Sequence, residues 1–222
     1  MSGRSRPGRV EDTAGVLRDI ITIILALAFT GAVVTFLTRD GFVPIEAADI
    51  TLPRVLIFLC VLPTIIRFYH GNVSYLNVTY AVSDSEAGIR HYAGKLATDF
   101  VVILAQAMIF SALAIYQSRT RDFFALFVCL FLVDAAWCLI NVWFSGWTFR
   151  DFESSLAHQH LRSQMNWMFA NSVAAILIAV PLGIQWRSPD ATLQSWVPYF
   201  FGVVTVNAVV DYWRNRRLYF PP

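Results

Sequence analysis

Residues 55–72, VLIFLCVLPTIIRFYHGN, place twelve uncharged residues ahead of an arginine, two aromatic residues and a histidine. A helix needs about 20 mainly apolar residues to cross the hydrocarbon core of a bilayer, so twelve are too few. One interpretation is a re-entrant or interfacial element. In the other, a helix runs over 51–70 with a kink at Pro63. Arg54 and Arg67 then extend their long side chains toward the headgroups.

The composition favours a membrane protein. The chain has 222 residues, of which 57% are hydrophobic and 14% are charged, against about 25% charged in ordinary soluble domains. So few charges cannot form a polar coat, and lipid must therefore cover much of the apolar surface. The net charge is +2 and the basic residues are scattered, which argues against a nucleic-acid partner. The three cysteines lie in apolar runs without metal-ligand spacing.

Five further runs are long and apolar enough to be spans, and together with 51–70 they make six. The predicted fold is all-α: a polytopic integral membrane protein with six transmembrane helices in three helical hairpins, short outer loops and helical cytoplasmic stems. Residues 1–17 form a cytoplasmic N-terminal segment, 18–213 a single membrane domain and 214–222 a cytoplasmic tail. The predicted spans cover residues 18–38, 51–70, 98–117, 123–146, 164–186 and 193–212.

Charge asymmetry favours six spans over five. With both termini in the cytoplasm, twelve basic residues fall on the inner side and five on the outer side, as the positive-inside rule requires. Without the second span every later loop changes side, and the bias largely disappears. The inner set is Arg4, Arg6, Arg9, Arg18, Arg67, Arg90, Lys95, Arg150, Arg162, Arg214, Arg216 and Arg217. The outer set is Arg39, Arg54, Arg119, Arg121 and Arg187.

Asp134 lies about midway along the fourth predicted span, in FLVDAAWCLIN (131–141). A carboxyl group at that depth costs about 2.5–3.5 kcal/mol on insertion scales, so it normally faces a bundle interior or a water-filled path. Asn141, seven residues on, falls on nearly the same helical face. The two either line a conduit, or Asp134 is a structural residue that hydrogen-bonds a neighbouring helix. Gln106 and Asn171, on other spans, are predicted to hydrogen-bond between helices.

A second group of charged residues lies near the inner ends of the predicted spans. Asp99 and Asp211 can pair with Arg67, or with Lys95 and Arg214 nearby. Such pairs either stabilise the bundle or form a gate or charged vestibule at the cytoplasmic mouth.

All four histidines fall on the predicted cytoplasmic side, where they are candidate sensing residues. They are His70, His91, His158 and His160. Residues two apart on a helix point about 200° away from each other, so His158 and His160 cannot share a metal ion. We therefore predict no metal site and no cofactor.

The chain carries no nucleophile elbow, no H-E-x-x-H motif and no Walker A loop. The leading hypothesis is a non-enzymatic, homo-oligomeric channel or pore-type component that is gated from the cytoplasmic side by a protein partner or a ligand. The alternatives are a secondary transporter coupled through Asp134, a membrane-embedded enzyme, and a scaffold subunit that uses the cytoplasmic stems. The predicted location is the plasma membrane, or the inner membrane in a bacterium, with the lipid bilayer as the main partner.

Overall fold

The computed structural model describes residues 8–39, 43–80, 86–148 and 155–219. Within helices, the side chains of 8–14, 78, 86–94, 144–148, 155–160, 217 and 218 lie outside this description. The described chain is helical apart from short connections and a two-stranded ladder, in which Thr38 pairs with Pro44 and Arg39 with Val43. The predicted all-α class is therefore confirmed.

Eight α-helices are present in the described ranges, along with two short 3-10 helices at Ala47–Asp49 and Tyr116–Ser118. The strands of the ladder are β1 (Thr38–Arg39) and β2 (Val43–Pro44). The helices are α1 (Gly8–Leu37), α2 (Leu52–Tyr80), α3 (Glu86–Ile115), α4 (Thr120–Thr148), α5 (Ser155–Ile184), α6 (Asp190–Gln194), α7 (Val197–Arg214) and α8 (Arg216–Tyr219).

Five helices of the described ranges are long and apolar enough to cross a membrane. Their candidate spans are Gly15–Leu37, Leu52–Asn77, Lys95–Ser118, Thr120–Trp143 and Leu161–Ile184. The seventh helix is not among them, because its 18 residues end in a turn that carries Asp211 and Arg214. The sixth span and the three-hairpin arrangement therefore stay predictions.

The segment over 51–70 belongs to one continuous helix rather than to a short re-entrant element. α2 has 29 residues and passes through Pro63. Proline has no N–H and leaves the carbonyl four residues earlier without its donor. For Pro63 that carbonyl belongs to Leu59, and the hydroxyl of Thr64 donates to the next carbonyl along, that of Cys60, at 2.7 Å. Helices of membrane proteins tolerate an internal proline of this kind.

The long helices form a closed ring, in which each packs mainly against two others. Going around the ring, the order is α1, α2, α7, α5, α4, α3 and back to α1. Small residues allow the close approach of α1 and α3: a Cβ added to Gly31 would lie 3.3 Å from the Cβ of Ala114.

The bundle has two ends, which we name by what they carry. The short-loop end carries the connections 38–51, 116–119 and 185–196, and the tail end carries α8. At the short-loop end, Arg54 closes the C-terminus of α1. Its guanidinium donates to the carbonyls of Thr35, Phe36 and Thr38 at 2.8–3.1 Å. These carbonyls otherwise lack partners within the helix.

An aromatic layer fills the core next to the short-loop end. Its rings come from α4 and α7, are fully or almost fully buried, and contact one another with centroids 4.4–6.2 Å apart. The rings are those of Phe123, Phe124, Phe127, Phe131 and Phe200. No charged side chain is needed to hold these helices together at this level, because ring packing supplies the contact.

Phe127→Ala should destabilise the bundle by about 3 kcal/mol, the lower end of the range for removing a buried phenylalanine ring. The measurement is the free energy of unfolding of the purified protein in detergent, by titration with SDS. Leu132→Ala on the same helix is the control, since Leu132 is 51% exposed. Equal destabilisation by both substitutions would contradict the assignment of the aromatic layer.

Candidate functional site

Asp134 lies inside the ring of helices, near the middle of α4. Its side chain is 7% exposed and accepts two hydrogen bonds from other helices. The amide Nε2 of Gln106 donates to Oδ1 at 2.9 Å, and the amide Nδ2 of Asn171 donates to Oδ2. Gln106 in turn accepts from Nδ2 of Asn72, at 3.1 Å. The carboxyl group is therefore shielded from lipid by amides of α3 and α5.

Arg67 points into the bundle, which differs from the expectation that it extends to the headgroups. It is 4% exposed. Its Nε donates to Oδ2 of Asp211 at 2.7 Å, and its Nη2 donates to Oδ1 of Asn171 at 2.6 Å. The guanidinium also lies 5.4 Å from the ring centroid of Phe68 and 6.0 Å from that of Phe131. Acceptors inside the bundle satisfy the charge more directly than a long reach to the surface.

Asp211 accepts hydrogen bonds from three side chains. Besides Arg67, the amide Nδ2 of Asn215 donates at 2.5 Å and the hydroxyl of Tyr219 donates at 2.8 Å. Ser163 donates to Oδ1 of Asn215 at 2.8 Å and ties this group to α5. The carboxylate of Asp211 thus connects α2, α5, α7 and α8 at the tail end.

The negative charges of the Asp134 and Asp211 carboxyl groups are compensated by different partners. Asp211 has a guanidinium as partner, whereas both donors to Asp134 are neutral amides. No cationic side chain of the described ranges lies within 4.0 Å of Asp134. Arg67 reaches Asp134 only through the amide of Asn171, so the carboxyl group of Asp134 is less directly compensated than that of Asp211.

A small cavity lies between these groups. Its volume is about 20 Å³, room for about one water molecule. The residues that line it are Arg67, Phe68, Gly71, Asn72, Asp134, Trp137, Trp167, Asp211 and Tyr219. This space is large enough for a water molecule but far too small for a permeating solute.

Tyr219 closes the cavity from the tail end. Its hydroxyl donates to Asp211 and accepts from the indole N–H of Trp167 at 3.0 Å. Burial, and next the negative charge of Asp211, raise the pKa of the Tyr219 phenol, so it stays a donor. Gly71 packs beside this contact, and a Cβ there would lie at an ordinary van der Waals distance of 3.6 Å from the hydroxyl of Tyr219.

Asp99 lies in a second polar cluster on the tail side of the core. It is fully buried and accepts from the hydroxyl of Tyr80 at 2.6 Å, the indole N–H of Trp137 at 2.9 Å and the hydroxyl of Tyr75 at 3.0 Å. Lys95 donates a hydrogen bond to the hydroxyl of Tyr75. That hydroxyl has one hydrogen and can donate it in a hydrogen bond to Asp99. Lysine and aspartate are thus joined through one phenol.

The two clusters meet at Trp137. Its ring lines the cavity beside Asp134, and its N–H donates to Asp99. Asn141 belongs to the Asp99 cluster, since its Oδ1 lies 2.9 Å from the hydroxyl oxygen of Tyr75 and accepts from Lys95 at 3.3 Å. The predicted stripe is therefore a real polar face of α4, but its two members have different partners.

His70 is half-buried at the tail end, with its Nδ1 at 2.7 Å from the hydroxyl of Tyr212. The side chains of His91, His158 and His160 lie outside the described residues. Among the described residues, no group of three metal-ligating side chains is present.

Sequence reasoning missed the phenols. Tyr75 follows Arg67 and Gly71 at steps of four along α2, and this spacing predicts a shared face. Tyr219 gave no such signal, because it lies in the tail beyond the last predicted span. Its position depends on the turn at Asn215, which directs α8 back onto the core.

Outside the ring, the bundle surface is apolar. Large hydrophobic side chains are exposed on all six long helices, among them Ile23, Ile66, Met108, Leu132, Val180 and Val206. Polar groups inside and apolar groups outside are typical of a helical bundle embedded in lipid. No family model, curated protein or solved structure matches this chain.

Asp211→Asn should cost about 3–5 kcal/mol of unfolding free energy, because Arg67 loses the charge that compensates it inside the bundle. The double variant Arg67→Gln with Asp211→Asn should lose less than the sum of the two single variants. SDS titration of the three purified variants measures this coupling. Asp122→Asn at the exposed start of α4 is the control, and additive losses would show that the pair does not act as a unit.

Proposed function

We propose that the protein is a membrane transport protein in which Asp134 couples movement to a proton. The observation that carries this proposal is the environment of Asp134: a buried carboxyl near the middle of a spanning helix with two neutral amide donors. Ionisable groups at that depth mark ion and proton pathways in membrane proteins. The proposed location is the plasma membrane, or the inner membrane in a bacterium, with both termini in the cytoplasm.

The proposal includes α7 as a sixth span. Its 18 residues are about 27 Å long, close to the thickness of the hydrocarbon core. It occupies a place in the ring between α2 and α5, and Arg67 of α2 binds its Asp211. Six spans also keep the predicted excess of basic residues on the tail side, which supports a cytoplasmic position for that end.

The pathway is proposed to run inside each chain. A pore between copies would need polar side chains on the outer faces of the helices. Here those faces are apolar, while Gln106, Asp134 and Asn171 face the interior. The cavity of about 20 Å³ and the aromatic layer leave no open pore in the described structure. This arrangement favours a transporter that changes conformation over the oligomeric channel predicted from sequence.

A proton on Asp134 would change the hydrogen bonding around it. A protonated carboxyl needs an acceptor for its O–H, whereas both partners now present N–H groups. Asn171 is held in place, because its Oδ1 accepts from Arg67 and, at 3.2 Å, from Asn207. Gln106 is free to rotate its amide, provided that Asn72 rotates with it. Protonation of Asp134 would therefore change the side-chain hydrogen bonds of α3 and α2.

Asp134→Asn should abolish proton uptake while the protein stays folded, because asparagine keeps the shape of the side chain but cannot release a proton. The measurement uses purified protein in liposomes that contain a pH-sensitive dye, with a potassium gradient and valinomycin to drive uptake. Asp122→Asn is the matched control on the same helix. Uptake by Asp134→Asn at the wild-type rate, or no uptake by the wild type, would leave Asp134 a structural residue.

Tyr219→Ala should raise the rate of proton uptake several-fold, because it opens the cavity to the tail end. Tyr219→Phe keeps the ring and should have a smaller effect. Trp213→Ala, an exposed aromatic residue near the same end, controls for general loosening of the tail. A Tyr219→Ala rate no higher than that of the control would contradict closure by Tyr219.

A further inference from the structure

A cleft near the short-loop end is separate from the polar network. It is a cleft of about 660 Å³, within the range of about 300–1,000 Å³ typical of small-molecule sites. The residues that line it are Val34, Thr35, Phe36, Thr38, Arg39, Asp49, Thr51, Pro53, Arg54, Ile57, Ile115, Gln117, Ser118, Thr120 and Gln194. They come from the ends of α1 to α4, from α6, and from the connections between these helices, including β1 and both 3-10 helices.

The cleft and the Asp134 cavity lie at different depths. Along α2, Ile57 lines the cleft and Arg67 lines the cavity, ten residues or about 15 Å further on. Along α4, Thr120 lines the cleft, and the aromatic layer follows before Asp134. The cleft is therefore not part of the Asp134 cavity.

The charge of the described lining residues favours an anion. Arg54 uses Nε and Nη2 for the carbonyls at the end of α1, and it has no carboxylate partner in the described part of the chain. Arg39 is 60% exposed and lies 3.8 Å from Asp49, a weak pair. Two guanidinium groups thus face one carboxylate. Nη1 of Arg54 makes none of these bonds to the end of α1, and N–H groups of a charged guanidinium are strong donors to carboxylate and phosphate oxygens.

The walls of the same cleft are partly apolar. Ile57 is buried at its floor, while Val34 and Ile115 are exposed along its sides. The cleft lies where α1 ends and α2 begins, which is the depth of the headgroups for helices of this length. An occupant must therefore be polar at one end and apolar at the other.

We propose that this cleft binds an anionic amphiphile. Its phosphate or carboxylate lies against Arg39 and Arg54, and its chain packs along Val34, Ile57 and Ile115. An anionic phospholipid and a free single-chain amphiphile share this chemistry, and the experiment below separates them. The proposal does not depend on proton coupling at Asp134.

Dodecyl phosphate should bind the purified protein saturably in a neutral detergent, as measured by microscale thermophoresis. Glycerol 3-phosphate, which has the acid but no chain, should bind at least about tenfold more weakly. Native mass spectrometry after reconstitution with equal amounts of phosphatidylglycerol and phosphatidylcholine tests the lipid source. Preferential retention of phosphatidylglycerol identifies a lipid, and binding of dodecyl phosphate without such retention identifies a free amphiphile.

Two variants and one control make the assignment specific. Arg39→Gln should weaken binding of dodecyl phosphate about fivefold, and Thr51→Trp, which fills the cleft, should abolish it. Arg119→Gln removes the same charge at the same end from a side chain that is 68% exposed and does not line the cleft, so its affinity should match the wild type. The proposal is overturned if neither dodecyl phosphate nor phosphatidylglycerol binds. It is also overturned if Arg39→Gln and Thr51→Trp bind dodecyl phosphate as tightly as the wild type does.

Discussion

Polar groups inside this bundle must satisfy one another, because neither lipid nor packed phenylalanine rings offer a hydrogen bond. The pair of Arg67 and Asp211 carries the largest part of that requirement. One guanidinium joins α2 to α7 through Asp211 and to α5 through Asn171. α7, which alone of the six long helices is not among the candidate spans, thereby keeps its place in the ring. α8 follows, since Tyr219 donates to the same carboxylate.

The two halves of the bundle are held together by different interactions. On the tail side, hydrogen bonds among carboxyl, amide and phenol groups hold the helices, and Trp137 joins the Asp134 and Asp99 clusters. Toward the short-loop end, ring packing replaces them. Within the proposed function, a proton reaches Asp134 from the tail side first, and the aromatic layer is the barrier that has to move before it can leave at the other end.

Sequence reasoning predicted the elements better than their arrangement. Hydrophobic run length was enough to place four of the five candidate spans, because the hydrocarbon core imposes that length. It was not enough for α2, whose uncharged run of twelve residues is too short and which was predicted from charge asymmetry. Depth in a span was enough to single out Asp134, and opposite charge was enough to suggest Arg67 with Asp211. The predicted direction of the Arg67 side chain was wrong, because an arginine that extends to the headgroups and one that forms an ion pair inside the bundle have the same sequence pattern. The order of helices in the ring and the position of Tyr219 depend on contacts between distant segments, which periodicity does not encode.

The central claim is that Asp134 takes up and releases a proton inside the bundle. Infrared difference spectroscopy of the reconstituted protein, recorded while the pH is stepped, tests it most directly through the C=O stretch of a protonated carboxyl group. The account predicts a carboxyl band that appears as the pH falls, is absent in Asp134→Asn, and is accompanied by amide side-chain changes that are lost in Gln106→Leu. A band that persists unchanged in Asp134→Asn, or no titrating carboxyl band at all, would contradict it.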